Sequence, residues 1–273
     1  MKVYVIGRPR FETRTLLSFL RDKGTSWKRS RNSTECEQLV EIGGRVCYMS
    51  FGKAQSPRTN AQYIRNLIEM GHESVLEHVS WTFIIAGISR AFTHQLVRHR
   101  VGISFSQLSQ QYHDESETNF VEPSLVRRSK ACRVAWQKTV MTAKAAYTEL
   151  LQQLEVAADK CENSNAAKEQ LRAIRTAARS VLPNATETTI VVTANARALR
   201  TFLKLRGAIV GDEEMRIVSS ALLSHLRVEA PSLFEDFVVE YLPDQTPIVR
   251  WRPNVVETPA LQVRRPLRRQ SRR

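Results

Sequence analysis

Val79-Ser80-Trp81-Thr82-Phe83-Ile84-Ile85-Ala86-Gly87-Ile88-Ser89-Arg90-Ala91-Phe92-Thr93-His94-Gln95-Leu96-Val97-Arg98-His99-Arg100 is the stretch from which the fold is read. Val79, Trp81, Phe83 and Ile85 alternate with Ser80, Thr82 and Ile84, the period of a strand with one face on a core. Ser89 then offers an N-cap hydroxyl, and a helix is expected through about Arg100. Further along, 188–193 is β-branched and apolar and reads as a strand. Residues 195–206 follow as a helix, from the spacing of Leu199, Phe202 and Leu203.

Upstream, residues 1–7 read as a first strand, too short an apolar run for a signal peptide. Residues 8–32 are basic and irregular. Ser33 reads as the N-cap of a helix with Glu35 in its first turn and an end near Gly43-Gly44. A second helix starts at about Asn60, gathers Ile64, Leu67 and Ile68 on one face, and stops at Gly71. Downstream, long amphipathic helices are expected over 128–162 and 164–181, the latter ended by Pro183. Asp212 caps a further helix, Val238, Val239 and Tyr241 suit a last strand, and beyond Pro243 the chain reads as irregular. Strands and helices mix without a strict βαβ rhythm and without internal repeats, so an α+β fold is expected. The division is a catalytic domain over 1–243 and a basic tail over 244–273.

With 42% hydrophobic and 25% charged residues, the 273-residue chain has an ordinary globular composition. No apolar run approaches the roughly 18 residues of a membrane span, and a cytoplasmic protein is the default. Cys36, Cys47, Cys132 and Cys161 are scattered without a Cys-x-x-Cys, which excludes a disulfide framework or zinc ribbon as the organising device. The net charge is +14, of which six arginines at 264, 265, 268, 269, 272 and 273 supply six, leaving +8. Such a tail reads as a solvated extension and a candidate nucleic-acid or acidic-partner contact. The remaining +8 points to anionic ligands.

The chemistry concentrates in 78–113, 36 residues without Asp or Glu but with Arg90, Arg98, Arg100, His78, His94, His99 and His113. Helical spacing would put Arg90, His94 and Arg98 on one face, where like charges repel. A bound anion is their natural partner, gripped by planar guanidinium forks; the plainer alternative is a solvated basic face or pairing with distant acids. His94 and His99 are badly spaced for zinc and no metal site is expected. No Gly-x-Gly-x-x-Gly or Gly-Lys-Ser/Thr loop is present, so a nucleotide cofactor would rest on side chains and helix ends. Residues 104–112 are rich in hydroxyls and amides, suited to a base edge or to an ordinary polar loop. Asn195, Arg197 and Arg206 form a second polar cluster, three helical turns long, able to face one pocket.

Taken with the motifs around them, these residues resemble the flavin-dependent thymidylate synthases (ThyX). The resemblance is carried by His72-Glu73-Ser74-Val75-Leu76-Glu77-His78, Arg98-His99-Arg100, Ser106-Gln107-Leu108-Ser109-Gln110-Gln111-Tyr112, Ala178-Arg179-Ser180-Val181-Leu182-Pro183-Asn184-Ala185-Thr186-Glu187-Thr188 and Asn195-Ala196-Arg197 to Leu205-Arg206, all in the family's order over roughly 40–240. It implies a mixed sheet flanked by long helices with a non-Rossmann flavin site. It implies FAD held by Ser74, Arg98, His99, Arg100, Gln107, Asn195 and Arg197. It places dUMP against Arg90, Gln95, Arg98, Ser109, Gln110, Gln111, Arg179 and Arg206, with Arg206 polarising the uracil as the catalytic residue. His72 would lie near flavin and folate. NADPH and 5,10-methylene-tetrahydrofolate are the implied co-substrates, and a homotetramer with shared sites the implied assembly.

Three departures from the family's pattern stand out. Eight residues rather than seven separate Arg100 from Ser109, Gln111 replaces the usual arginine, and Val210 replaces the usual histidine four after the Arg206 position. A lost charge-assisted hydrogen bond is worth roughly 1.5–3 kcal/mol, some tenfold or more in dUMP affinity. The family uses no protein nucleophile, so thymidylate synthesis is still expected. A flavin- or nucleotide-binding relative without that activity is the second reading, and a basic nucleic-acid-binding protein the third.

Overall fold

The computed structural model describes residues 1–158 and 164–253; the arginine-rich tail and Cys161 lie outside the described residues. In chain order come β1 (Lys2–Gly7), α1 (Thr13–Asp22), α2 (Glu35–Tyr48), α3 (Asn60–Glu69), β2 (Ser80–Ser89), α4 (Arg90–Leu96) and β3 (Ile103–Gln107). Then follow α5 (Ser124–Arg127), α6 (Lys130–Ala157), α7 (Ser164–Ala178), β4 (Glu187–Asn195), α8 (Ala196–Arg206), α9 (Glu213–Glu229), α10 (Pro231–Phe234), β5 (Phe237–Tyr241) and β6 (Pro247–Trp251). The four-stranded sheet has the order β1-β2-β4-β3. The α+β class stands, while all three pairings are antiparallel rather than of mixed direction.

The alternation in β2 does what its period requires. Trp81, Phe83 and Ile85 are fully buried, and they meet Val192 and Ile190 of β4 together with Leu76, Phe202, Leu203, Leu222, Leu223 and Phe234 in the main core. On the other face Thr82 Oγ1 and Thr193 Oγ1 stand 3.0 Å apart, a cross-strand polar pair that fixes register. No helix of the described residues is long and apolar enough to cross a membrane.

Four expectations are corrected. Residues 8–32 are not irregular throughout: α1 buries Leu20 with Phe11, Trp27 and Phe51 in a separate small core. The cap of α2 is Thr34, not Ser33, in a capping box with Glu37, and the helix runs through Gly43-Gly44 to Tyr48. Those glycines permit close packing instead of ending the helix, since a Cβ at Gly44 would stand 2.8 Å from Tyr63 Oη. The helix after Ser89 stops at Leu96, where the chain tightens into bonds from Arg98 N to Gln95 O and His99 N to Leu96 O. Beyond Pro243 the chain is not irregular: β6 pairs with β5 and buries Ile248 and Val249. Its five residues, opening with a proline, carry too little period to read.

The long pair α6 and α7 packs around Tyr147, Leu151 and Ala178. Of α6's 28 residues only Val140, Tyr147 and Leu151 are buried. The helix therefore carries much unspent surface, including exposed Val134, Met141 and Val156.

Candidate active site

The first turn of α4 anchors the site. Ser89 Oγ accepts from Phe92 N at 3.0 Å and donates to Glu214 Oε2 at 2.5 Å, so α9 clasps the cap. Burial first, against these bonds, raises the Glu214 pKa. Arg90 N and Ala91 N donate to the carbonyls of Thr186 and Asn184, both at 3.0 Å. Burial first, and more weakly the Arg179 charge, lowers the Arg90 pKa against the pull of Glu115. Arg90 Nη2 donates to Leu108 O at 3.0 Å, and Gln107 Nε2 donates to Thr93 Oγ1 at 3.1 Å, so β3 is pinned to α4.

The turn after β3 closes this pocket of charge. Ser109 O accepts from Tyr112 N and His113 N, and Ser109 Oγ accepts from Gln111 N at 3.3 Å. Gln111 Nε2 reaches Thr176 of α7. Arg175 Nη1 donates to Tyr112 O at 2.7 Å, and Arg172 lies 5.2 Å from the Tyr112 ring centroid. Gln110 is 6% exposed, and among the described residues its Nε2 finds no acceptor, nor do Arg90 Nε and Arg175 Nε. Glu115, 2% exposed, donates its backbone N–H to Tyr147 Oη at 3.1 Å, and its carboxylate faces Arg90 Nη2 at 4.0 Å. Arg90, Ser109, Gln110 and Gln111 thus gather at one turn, and the Arg179 charge is felt there in the Arg90 pKa. The surplus of donors over acceptors suits a phosphate, whose oxygens accept in several directions.

A second group lies along α8. Asn195 caps its start, accepting from Ala198 N at 2.8 Å, and Arg206 ends it, roughly 16 Å away at helical rise. The two stand at opposite ends of α8. The turn after α4 bridges them. Asn195 N donates to Gly102 O at 3.0 Å, and Arg206 Nε donates to His99 Nε2 at 3.0 Å. His99 rests edge-on against Phe202 at 5.3 Å. Burial first, then the Arg206 charge, lowers its pKa, so the ring is neutral with Nε2 as acceptor. A turn at Val101-Gly102 joins Arg100 to β3. Gly102 has φ +70°, and a Cβ there would strike Asn195 at 2.5 Å. Only glycine suits that position.

Arg98 and Arg100 on this turn are exposed, with no side-chain bond or ion pair among the described residues. They offer free guanidiniums for an anionic group such as a flavin pyrophosphate, alongside exposed His72 and Ser74. The latter belong to the short 3-10 segment Glu73–His78, tied to α8 by Arg197, which pairs with Glu77 at 2.6 Å and with Glu73 at 3.9 Å. Gln95 Nε2 donates to Asp212 Oδ2 at 2.5 Å. Arg98 lies beyond the end of α4 and does not share its face with Arg90 and His94. The stretch without acids in sequence is not without acids in space, because Glu214, Asp212 and Glu115 are delivered to it by other elements.

Sequence reasoning missed Glu115, Tyr147 and Arg175. Asp114 and Glu115 are the first acids after the acid-free run, a signal that was present. Nothing local marks Tyr147 or Arg175, which arrive from α6 and α7.

A family model described as thymidylate synthase complementing protein matches residues 31–232. A protein of Corynebacterium efficiens named flavin-dependent thymidylate synthase is 43% identical over 231 residues, covering 84% of this chain and 90% of that one. One of the same name from Mycobacteroides abscessus is 46% identical over 212 residues, covering 77% and 83%. A third, from Corynebacterium diphtheriae, is 42% identical over 229 residues, covering 83% and 89%. With the family match spanning β2, β3 and β4, the clasped α4 and the whole of α8, the chain belongs to the thymidylate synthase complementing protein family.

Proposed function

We propose that this chain is a flavin-dependent thymidylate synthase that converts dUMP to dTMP with FAD, NADPH and 5,10-methylene-tetrahydrofolate, in the cytoplasm and as a homotetramer. The observation that carries the reading is a set of buried donors without acceptors among the described residues, Arg90 Nε, Gln110 Nε2 and Arg175 Nε, around the turn after β3 to which Arg90 and Arg175 are bonded at Leu108 O and Tyr112 O. Arg90 and Arg179 grip the dUMP phosphate, and Ser109, Gln110 and Gln111 face the nucleotide with donors and acceptors. Arg206, its Nε held by neutral His99, turns its terminal nitrogens to the uracil carbonyls. There it stabilises the negative charge that raises the nucleophilicity of carbon 5. The bound flavin, when reduced, supplies the hydride that completes the methyl group.

Ser74, Arg98, His99, Arg100, Gln107, Asn195 and Arg197 are the residues assigned to FAD, and His72 to the flavin–folate side. Of these, Gln107 and Arg197 act by fixing β3 and the 3-10 segment as well as by any direct contact. No cysteine nucleophile is needed. Among the described residues, burial first and then Glu229 push the Cys36 thiol up to about 12, far from the thiolate that such chemistry requires.

The tetramer is supported by surface left uncovered. Val101 and Val210, 90% and 95% exposed, stand next in the chain to the elements carrying His99 and Arg206. The underburied α6 adds Val156 at 87%. Neighbouring subunits would cover such apolar surface and complete the site.

Tritium release from dUMP labelled at carbon 5, with FAD, NADPH and methylene-tetrahydrofolate, tests the reading; no release at high enzyme concentration overturns it. The second reading, a flavin-binding relative without synthase activity, is favoured by Gln111 being turned to Thr176. A yellow protein that releases no tritium would select it.

A further inference from the structure

The family match begins at residue 31, and the charge ahead of it is unlike the rest of the fold. Between residues 8 and 31 stand eight arginines and lysines against Glu12 and Asp22. Arg8 pairs with Glu229 at 2.7 Å and Arg10 with Glu12 at 3.2 Å. Arg14, Arg21, Lys23, Lys28, Arg29 and Arg31 are all exposed, and none has an ion pair among the described residues. This surface is separate from the Arg90 and Arg206 groups and packs on its own small core.

Its geometry is ordered. Arg14 and Arg21 lie seven apart on α1, about 10 Å along the axis at helical rise. They line an open cleft of about 460 Å³ with Leu17, Leu20, Thr25 and Ser26. The far wall is held, because Gly52 N donates to Ser26 O at 2.7 Å and Gln55 bonds both N and O of Lys28 at 2.8 Å. The helix has spent most of its apolar face: Leu20 is buried, Leu16 and Phe19 pack on the small core, and Leu17, 45% exposed, is the apolar side chain left open in the cleft. It therefore has little left to insert into a bilayer. Phe11 and Trp27 are buried too, so the cleft offers no ring on which a base could stack. Exposed guanidiniums and hydroxyls around a cleft with a single open leucine and no aromatic platform match a repeating phosphate array.

We propose that the surface formed by residues 8–31 binds the phosphate backbone of a nucleic acid, independently of base sequence and of the thymidylate chemistry. Single strands and duplexes bind alike through it, and binding weakens steeply with salt.

The test is fluorescence anisotropy of a labelled oligonucleotide, single-stranded and duplex, with the full chain across a salt series. Arg14→Glu with Arg21→Glu, the C-terminal arginines intact, is expected to weaken binding roughly tenfold or more and to lower the salt slope by about two, one for each phosphate no longer neutralised. Tritium release from labelled dUMP is expected to be unchanged. Arg14→Gln with Arg21→Gln provides the same reading with less charge strain, and urea midpoints check that each variant is folded. No binding by the wild type, or equal binding by the folded variants, overturns the proposal. Loss of binding only when the arginines of 264–273 are replaced also overturns it. Preference for vesicles of anionic phospholipid over the oligonucleotide, lost in the same variants, overturns it in favour of a membrane surface.

Discussion

Two sets of arginines divide this molecule. Arg200 and Arg45, 1% and 0% exposed, are shut inside the fold and meet acids. Arg200 forks onto Asp236 at 2.7 and 2.6 Å, donates to Leu233 O at 2.5 Å and lies over the Phe237 ring. Arg45 bonds Glu41 at 2.6 Å and lies over Tyr63. Arg90, Arg98, Arg100, Arg179 and Arg206, by contrast, have no carboxylate among the described residues closer than Glu115's 4.0 Å approach to Arg90. A buried guanidinium must be paired to be tolerated. A half-exposed one can wait in water for a ligand. The first set holds the fold, and the second leaves its bonding capacity for substrate.

The largest effect should come from breaking a member of the first set. Arg200→Leu strands Asp236, which also accepts from Trp251 Nε1 at 2.7 Å, and should cost about 3–5 kcal/mol in urea unfolding. Arg200→Leu with Asp236→Leu should recover most of that loss. Arg98→Ala or Arg100→Ala should leave stability within about 0.5 kcal/mol. Equal losses in both sets would erase the distinction.

Arg206→Lys is the next step down and moves activity instead of stability. A lysine offers a point charge and cannot both meet His99 Nε2 and present a planar fork. The turnover rate should fall roughly 10²–10³-fold, the usual cost of removing a group that stabilises developing negative charge, while the urea midpoint stays put. A variant that unfolds early would move Arg206 into the first set.

How far the sequence could distinguish these sets follows from where the partners come from. The strand at 79–85, its helix, the 188–193 strand and the α8 helix were legible because each period is local. The grouping of Arg90, Arg179 and 109–111 was legible only through resemblance to a family, since no spacing says that 183–186 docks on α4. Glu214, Asp212 and Glu115 reach the acid-free stretch from other elements, so local charge counting overstated its isolation. Gly43-Gly44 looked like an end because glycine usually stops helices, whereas here the missing Cβ admits Tyr63. The β6 strand went unread because a five-residue strand opening with proline has scarcely one full alternation.

Removing a phosphate grip should have a smaller effect than removing Arg206. Arg179→Ala should weaken dUMP binding by roughly 1.5–3 kcal/mol, about ten- to a hundredfold, measured by calorimetry. Deoxyuridine, which lacks the phosphate, should bind wild type and variant alike. Equal loss for both ligands would show that Arg179 shapes the pocket and does not hold the anion.

The smallest expected effect is a pH dependence, and it tests why Arg206 counts as available. His99 has its pKa lowered from the ordinary 6.5 by burial and then by Arg206, so the folded chain resists a proton that the unfolded chain accepts. Above pH 6.5 both states hold neutral imidazole and His99 costs nothing. As pH falls below 6.5 toward the folded pKa, the unfolded state gains protons first and stability declines. Protonation also removes the Nε2 acceptor and frees Arg206 from its bond. His99→Asn should flatten that part of the stability–pH curve in urea titrations at pH 8 and below pH 6 (roughly two units apart). A histidine whose NMR titration lies above 6.5 would mean that Arg206 is not facing a neutral ring, and its terminal nitrogens would then be held by some other partner than the one seen at 3.0 Å.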